Sequence, residues 1–174
     1  MHPRLYVATL AVALLPSFST AQSAPVAVAF KESAAQFGKN LVAASEIMPV
    51  ENFGYKPTPA QMSYADIVVH LIQGNDYLCG TIGGIKAPAR GKIAVTDGKD
   101  ALVARLKDTF QFCNEALAGL DDSKLGEQLP FFGGKLWTRA AIETLTTGDW
   151  ADHYSQMAIY LRLNGQLPPT AKKP

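Results

Sequence analysis

Apolar residues recur at spacings of three and four in four separate stretches of the chain, the period of a helix with one buried stripe. Phe30, Ala34, Phe37, Leu41 and Ala44 make the first stripe, which predicts a helix over about residues 27–48 that Pro49 ends. Ile67, Leu71, Gly74 and Leu78 make the second. Two successive start signals precede it, Thr58-Pro-Ala-Gln61 and Ser63-Tyr-Ala-Asp66, both with the spacing of a capping box, and Pro59 suits a first helical turn. This helix is expected to run to about Cys79. Leu102, Leu106, Phe110, Cys113 and Leu117 define a third helix over 99–117, with Thr96 or Asp97 as its cap and Gly119 near its close. The fourth begins after Thr138, carries Ile142, Leu145, Asp149, His153, Gln156 or Met157 and Tyr160 inward, and stops at Asn164-Gly165 before Pro168-Pro169.

The intervening stretches break regular structure. Residues 52–59 hold two prolines and a glycine, and residues 80–97 hold Gly83-Gly84, Pro88 and Gly91. Leu129-Pro-Phe-Phe-Gly-Gly134 reads as an extended or turn segment whose aromatics cover the end of the core. No alternating segment is long enough for a sheet. The pattern therefore predicts an all-α protein, a four-helix bundle with a long crossover connection between helices two and three.

The N-terminus departs from the helical pattern. Arg4 is followed by an uncharged apolar run, Leu5 to Leu15, and then by the small residues Ser19-Thr-Ala21, which together read as an export signal over residues 1–21. The apolar run is too short to span a membrane, and no later stretch reaches the roughly 20 residues a transmembrane helix needs. A mature chain starting near Gln22 is expected outside the cytoplasm, periplasmic or secreted, with one domain over 22–170 and a disordered tail over 171–174. Export permits Cys79 and Cys113 to pair; two separate buried thiols are the alternative, since Cys113 also follows its helix's apolar spacing. Lysine and arginine total 16 against 15 acidic residues. With no basic stripe, and Lys172-Lys173 confined to the tail, a nucleic-acid partner is disfavoured.

Candidate chemistry concentrates in Thr147-Gly-Asp-Trp-Ala-Asp-His-Tyr-Ser-Gln156. Asp149 and His153, one turn apart, share a helix face that is otherwise apolar, where a carboxylate and an imidazole need partners. His70 sits on the apolar stripe of helix two, so two packed helices would bring all three side chains to one point. Alone, His70 reads as a core histidine and Asp149 with His153 as a structural hydrogen-bonded pair. Gln156 and Tyr160 continue the stripe and are candidates for outer hydrogen bonds to the site, while Trp150 reads as a core aromatic. Asp152 points away toward solvent, with an outer-partner role as the alternative. Arg162 is placed to interact with the last helical carbonyls.

Asn52-Phe-Gly-Tyr-Lys-Pro-Thr-Pro-Ala-Gln-Met-Ser63 leading into Ile67-Val-Val-His70-Leu, then Asp152-His153-Tyr-Ser-Gln156, Tyr160-Leu-Arg-Leu-Asn-Gly165 and Pro168-Pro169, resemble in order the segments of the DinB-like family of helical metal proteins. The resemblance implies a divalent metal held by a histidine on helix two and two histidines four apart on helix four. His70 and His153 match the outer positions, and Asp149 stands where the family has its middle histidine. A carboxylate oxygen bonds such ions at nearly the distance of an imidazole nitrogen, so the exchange is chemically tolerable. Zinc is the first expectation, with nickel, manganese or iron as alternatives.

The resemblance further implies thiol transferases and isomerases among the family's enzymes, a reading that export weakens because low-molecular-weight thiol cofactors are mainly cytoplasmic. No Ser/His/Asp arrangement, phosphate loop or dinucleotide fingerprint competes with it. The expectation is thus an exported metal-binding bundle with hydrolase or transferase chemistry on a small-molecule ligand. The alternatives are a non-enzymatic bundle in which Asp149 and His153 are purely structural, and an iron-dependent redox site suggested by two histidines with one carboxylate.

Overall fold

The computed structural model describes residues 24–171. The expected export signal over 1–21 and Lys172-Lys173 of the expected tail lie outside the described residues. Four helices carry the fold: α1 (Pro25–Ile47), α2 (Tyr64–Gly83), α3 (Lys99–Leu117) and α4 (Arg139–Leu163). Each of α1 and α2 packs against both α3 and α4, which leaves α1 diagonally opposite α2. Leu41, Ile67, Leu71, Leu106, Ile142 and Met157 are sealed from solvent at the centre.

Neighbours α2 and α3 run in the same direction. Asn75 donates to Thr109 (3.1 Å), Cys79 is disulfide-bonded to Cys113, and Gly83 lies against Ala116, so both helices advance together. A Cβ at Gly83 would overlap the Ala116 carbonyl, so only glycine permits this close approach. Parallel neighbours force the connecting residues 84–98 to travel back along the pair. Arg90 secures this return by donating to the Asp76 carboxylate (2.9 Å) and the Asp108 carbonyl (3.1 Å), and Arg105 donates to the Gly91 carbonyl (3.1 Å).

Of the two successive start signals before α2, the second is used. Asp66 N–H donates to the Ser63 hydroxyl oxygen (3.1 Å), while Ser63 N–H (2.9 Å) and its hydroxyl (2.6 Å) donate to the Asp66 carboxylate. Thr58-Pro-Ala-Gln61 instead forms a separate turn in which Gln61 N–H donates to the Thr58 carbonyl, and Pro59 lies outside the helix. The reason is Phe53 and Tyr55, whose carbonyls accept from Ala65 and Tyr64 and so fix the helix start at Tyr64. Ser63→Ala should lower stability by about 1 kcal/mol in urea unfolding. Ser63's hydroxyl and backbone N–H hold the Asp66 carboxyl below its ordinary value. Its contribution is therefore complete above the ordinary carboxylate range and is lost as pH falls through the lowered value.

Three other expectations need correction. Neither Thr96 nor Asp97 caps α3: Asp97 accepts from Ala94 N–H, and Gly98, at φ 83°, occupies the cap position with no side-chain hydrogen bond. Residues 128–138 form a small antiparallel ribbon, β1 (Gln128–Pro130) against β2 (Leu136–Thr138), too short to show a strand period in the sequence. Of the two aromatics assigned to the core's end, Phe131 is buried but Phe132 is exposed. As expected, Thr138 caps α4 by accepting from Ala141 N–H (3.2 Å), and Arg162 donates to the Ala158 carbonyl (3.2 Å).

Candidate metal centre

Placement of the site begins with Trp150. Its indole is fully buried, lies parallel to Phe30 of α1 (centroids 6.1 Å apart, 14°), and donates to the Asn75 side-chain oxygen at 2.8 Å. Asn75 passes the chain on to Thr109, whose hydroxyl donates to the Leu106 carbonyl (2.9 Å). This buried path locks the rotation of α4 against α2 and α3. Asp149, one residue earlier, is thereby held at the α2 seam. Asn75 and Thr109 were not among the sequence candidates; a polar residue within the apolar stripe of helix two was the available signal.

His70, Asp149 and His153 meet at that seam, their ligand atoms all within 4.8 Å of one another. Asp149 Oδ1 lies 3.4 Å from His153 Nε2 and 3.7 Å from His70 Nε2, and the two rings stand nearly perpendicular (83°) with centroids 4.7 Å apart. Burial grades across the triad. His153 is 7% exposed, Asp149 partly exposed, and His70 half-exposed in its side chain. His70 thus sits at the outer edge of its stripe rather than inside it, and the site opens to solvent on the α2 side.

Burial pushes the Asp149 carboxyl upward, but the close approach of the polar imidazoles, His153 first and then His70, outweighs it and holds the group below its ordinary value. Neither approach is within the usual N–H···O range of 2.7–3.2 Å. Among the described residues, both ring nitrogens of buried His153 lack a hydrogen-bond partner. Orphaned buried polar groups are expensive. Donors arranged tetrahedrally at about 2.1 Å from a common ion are about 3.4 Å apart, so the two spacings at Asp149 Oδ1 suit a shared cation better than direct hydrogen bonds.

The outer candidates separate. Gln156 donates to the Asp152 carboxylate at 2.7 Å, and that same oxygen is 3.9 Å from His153 Nδ1, the nitrogen facing away from Asp149. Tyr160 does not reach the triad: its hydroxyl donates to the Met62 carbonyl (3.1 Å), tying α4 to the segment before α2.

Two crystal structures share this architecture. One is a DinB-like protein from Bacillus cereus, with a TM-score of 0.68 at 15% identity, covering 82% of this chain and 95% of that one. The other is a DinB-like protein from Bacillus subtilis, with a TM-score of 0.65 at 16% identity, covering 83% and 99%. The chain has the DinB-like fold. No family model and no curated protein matches the sequence. At such identities the DinB-like likeness establishes the fold, and the chemistry must be argued from the triad itself.

Proposed function

We propose that His70, Asp149 and His153 bind one divalent cation, zinc foremost and nickel, manganese or iron as alternatives, in an exported protein that hydrolyses or transfers a group on a small molecule. The observation that carries this reading is buried His153, with no hydrogen-bond partner and its Nε2 3.4 Å from Asp149. A purely structural Asp149–His153 pair would close to hydrogen-bond length. A cation so held supplies Lewis-acid polarisation of a substrate oxygen and activation of water.

The chain's own groups have distinct tasks. Asp149 offsets part of the cation's charge, and His153 fixes the inner end because its ring is packed in the core. Half-exposed His70 closes the triad from the solvent side. Three protein donors leave coordination positions for a ligand. Asp152, steadied by Gln156, stands on the Nδ1 side of His153, where a carboxylate favours the tautomer that presents Nε2 inward.

Export is supported by the Cys79–Cys113 pair, a bond that persists in oxidising compartments. No described helix is long and apolar enough to cross a membrane. Mass spectrometry of protein from the native host should show loss of about 21 residues; an intact Met1 in the cytoplasmic fraction would overturn export. For the centre, elemental analysis of protein purified without chelator or added metal should find one equivalent of a divalent transition metal. Metal-free protein that also binds none of a panel of divalent ions would overturn the metal reading.

A further inference from the structure

The seam between α1 and α4, which carries none of the triad's contacts with α2, holds a groove of about 230 Å³. Exposed or half-buried side chains form its rim, Ala29 and Ser33 from α1 and Thr144 and Thr147 from α4. Its floor is made by the two buried residues that line it, Phe30 and Glu143. Glu143 is only 4% exposed, and neither of its carboxyl oxygens has a hydrogen-bond partner among the described residues.

The donors nearby are committed elsewhere. The amides of Val26 and Ala27 at the start of α1 donate to the Asp122 carboxylate (3.1 and 2.8 Å). Arg139, one turn before Glu143 on α4, donates to Glu127 (2.6 Å) and forms no ion pair with Glu143. The Thr144 and Thr147 hydroxyls donate to carbonyls of their own helix, those of Ala140 and Glu143 (2.9 and 3.0 Å). An unpartnered carboxyl in such surroundings is costly, and the partner it lacks is a donor.

We propose that this groove is a second ligand site, taking a small primary ammonium compound whose head pairs with the Glu143 carboxylate beside the Phe30 ring. Both carboxyl oxygens are turned under the floor and closed to solvent. No hydrogen bond holds them there, so rotation about the side chain's own bonds brings them to the ligand. A charged donor is favoured over a neutral one because its hydrogen bond to a carboxylate is the stronger, and a ring face attracts a cation as well. A single carboxylate is a poor cage for calcium, which takes six to eight oxygens. The tail must be short and apolar, since the space is small and its walls include Ala29 and Phe30.

Burial holds the Glu143 carboxyl above its ordinary value; Arg139 lowers it and Asp122 raises it, and α1 brings no charged side chain to the groove. The ammonium pairs with the ionised form. Its affinity should therefore grow as pH rises from the ordinary carboxylate range through the raised value, and level off above it.

Nothing in this site depends on the metal centre. Propylammonium chloride and the uncharged propan-1-ol are titrated, at constant ionic strength, into the wild type, Glu143→Gln and Ala29→Leu, with the Ser33 and Thr144 amide resonances as reporters. The wild type should bind propylammonium at least about tenfold more tightly than propan-1-ol, a difference that one hydrogen bond to a charged group supplies. Glu143→Gln, nearly isosteric, should lose that preference and the pH dependence with it. Ala29→Leu, at an exposed position, should fill the groove and weaken both compounds. Equal affinity of the wild type for the two compounds, or a preference that survives in Glu143→Gln, would overturn the proposal. Unchanged affinity in Ala29→Leu would place the amine elsewhere and overturn it too. Absence of saturable propylammonium binding would make Glu143 a neutral structural acid and the groove no ligand site.

Discussion

His153→Ala is expected to abolish stoichiometric binding of a divalent cation, because His153 is the only fully inward donor of the triad and neither of its nitrogens has another partner among the described residues. Asp149→Ala should leave a two-histidine remnant, weaker than wild type by more than the roughly 10- to 100-fold typical of losing an outer partner. His70→Ala should show the mildest loss of the three, since the half-exposed His70 is the most readily replaced by solvent. Isothermal titration with zinc, nickel, manganese and iron(II) measures the series, with circular dichroism verifying that each variant is folded. A thermal readout runs in parallel: ligand at one hundred times its dissociation constant stabilises the native state by about 2.7 kcal/mol, so added metal should raise the wild-type midpoint and leave that of His153→Ala unchanged. Acid should release the ion, because imidazole ligates in its neutral form and protons compete for the same nitrogens. Wild-type affinity no greater than that of His70→Ala across the panel would make the three residues a structural cluster.

The bundle was legible because its evidence is periodic. Each helix repeats an apolar residue over about three turns or more, and the repeat survives local noise such as His70 or Asn75. Proline at Pro49 and the pair Pro168-Pro169 then sharpen the boundaries by removing backbone donors. Pairing of the triad was legible for a related reason, since i and i+4 fix Asp149 and His153 on one face whatever surrounds them.

What the sequence left open depends on tertiary contact. Whether Thr58 or Ser63 starts α2 is decided by the carbonyls of Phe53 and Tyr55, and nothing in either tetrapeptide records that. His70 lies at the stripe's edge rather than its centre because α4 meets α2 on the Leu71 and Asn75 side, with Trp150 reaching Asn75. Tyr160 is drawn off to the Met62 carbonyl of the segment before α2, and Phe132 is left in solvent by a ribbon whose pairing, such as Leu129 with Trp137, is not recorded in any one turn. Within the site, the i, i+4 spacing established proximity, but the 3.4 Å separation, longer than a hydrogen bond, is a packing result.

Loss of the Cys79–Cys113 bond should lower stability by about 3 to 4 kcal/mol, a large part of the roughly 5–15 kcal/mol available to a domain. The two cysteines are 34 residues apart in sequence, and their Cα atoms are 5.1 Å apart in the fold. The bond ties the unfolded chain across the entire crossover of residues 84–98, the connection whose closure is entropically hardest because it must run back between parallel helices. Both sulfurs are sealed in the core, so the test is Cys79→Ala/Cys113→Ala rather than reductant on the native protein. Its urea midpoint should fall with the helical signal intact, because Asn75–Thr109 and the Gly83–Ala116 contact still hold the register of α2 on α3. Metal affinity should change little, since the triad lies on the α2–α4 seam and the bond on the α2–α3 seam. Two thiols that label freely in unfolded, unreduced protein would show that the cysteines act only as packing residues; loss of metal binding with the bond would show that the two seams are coupled through Asn75 and Trp150.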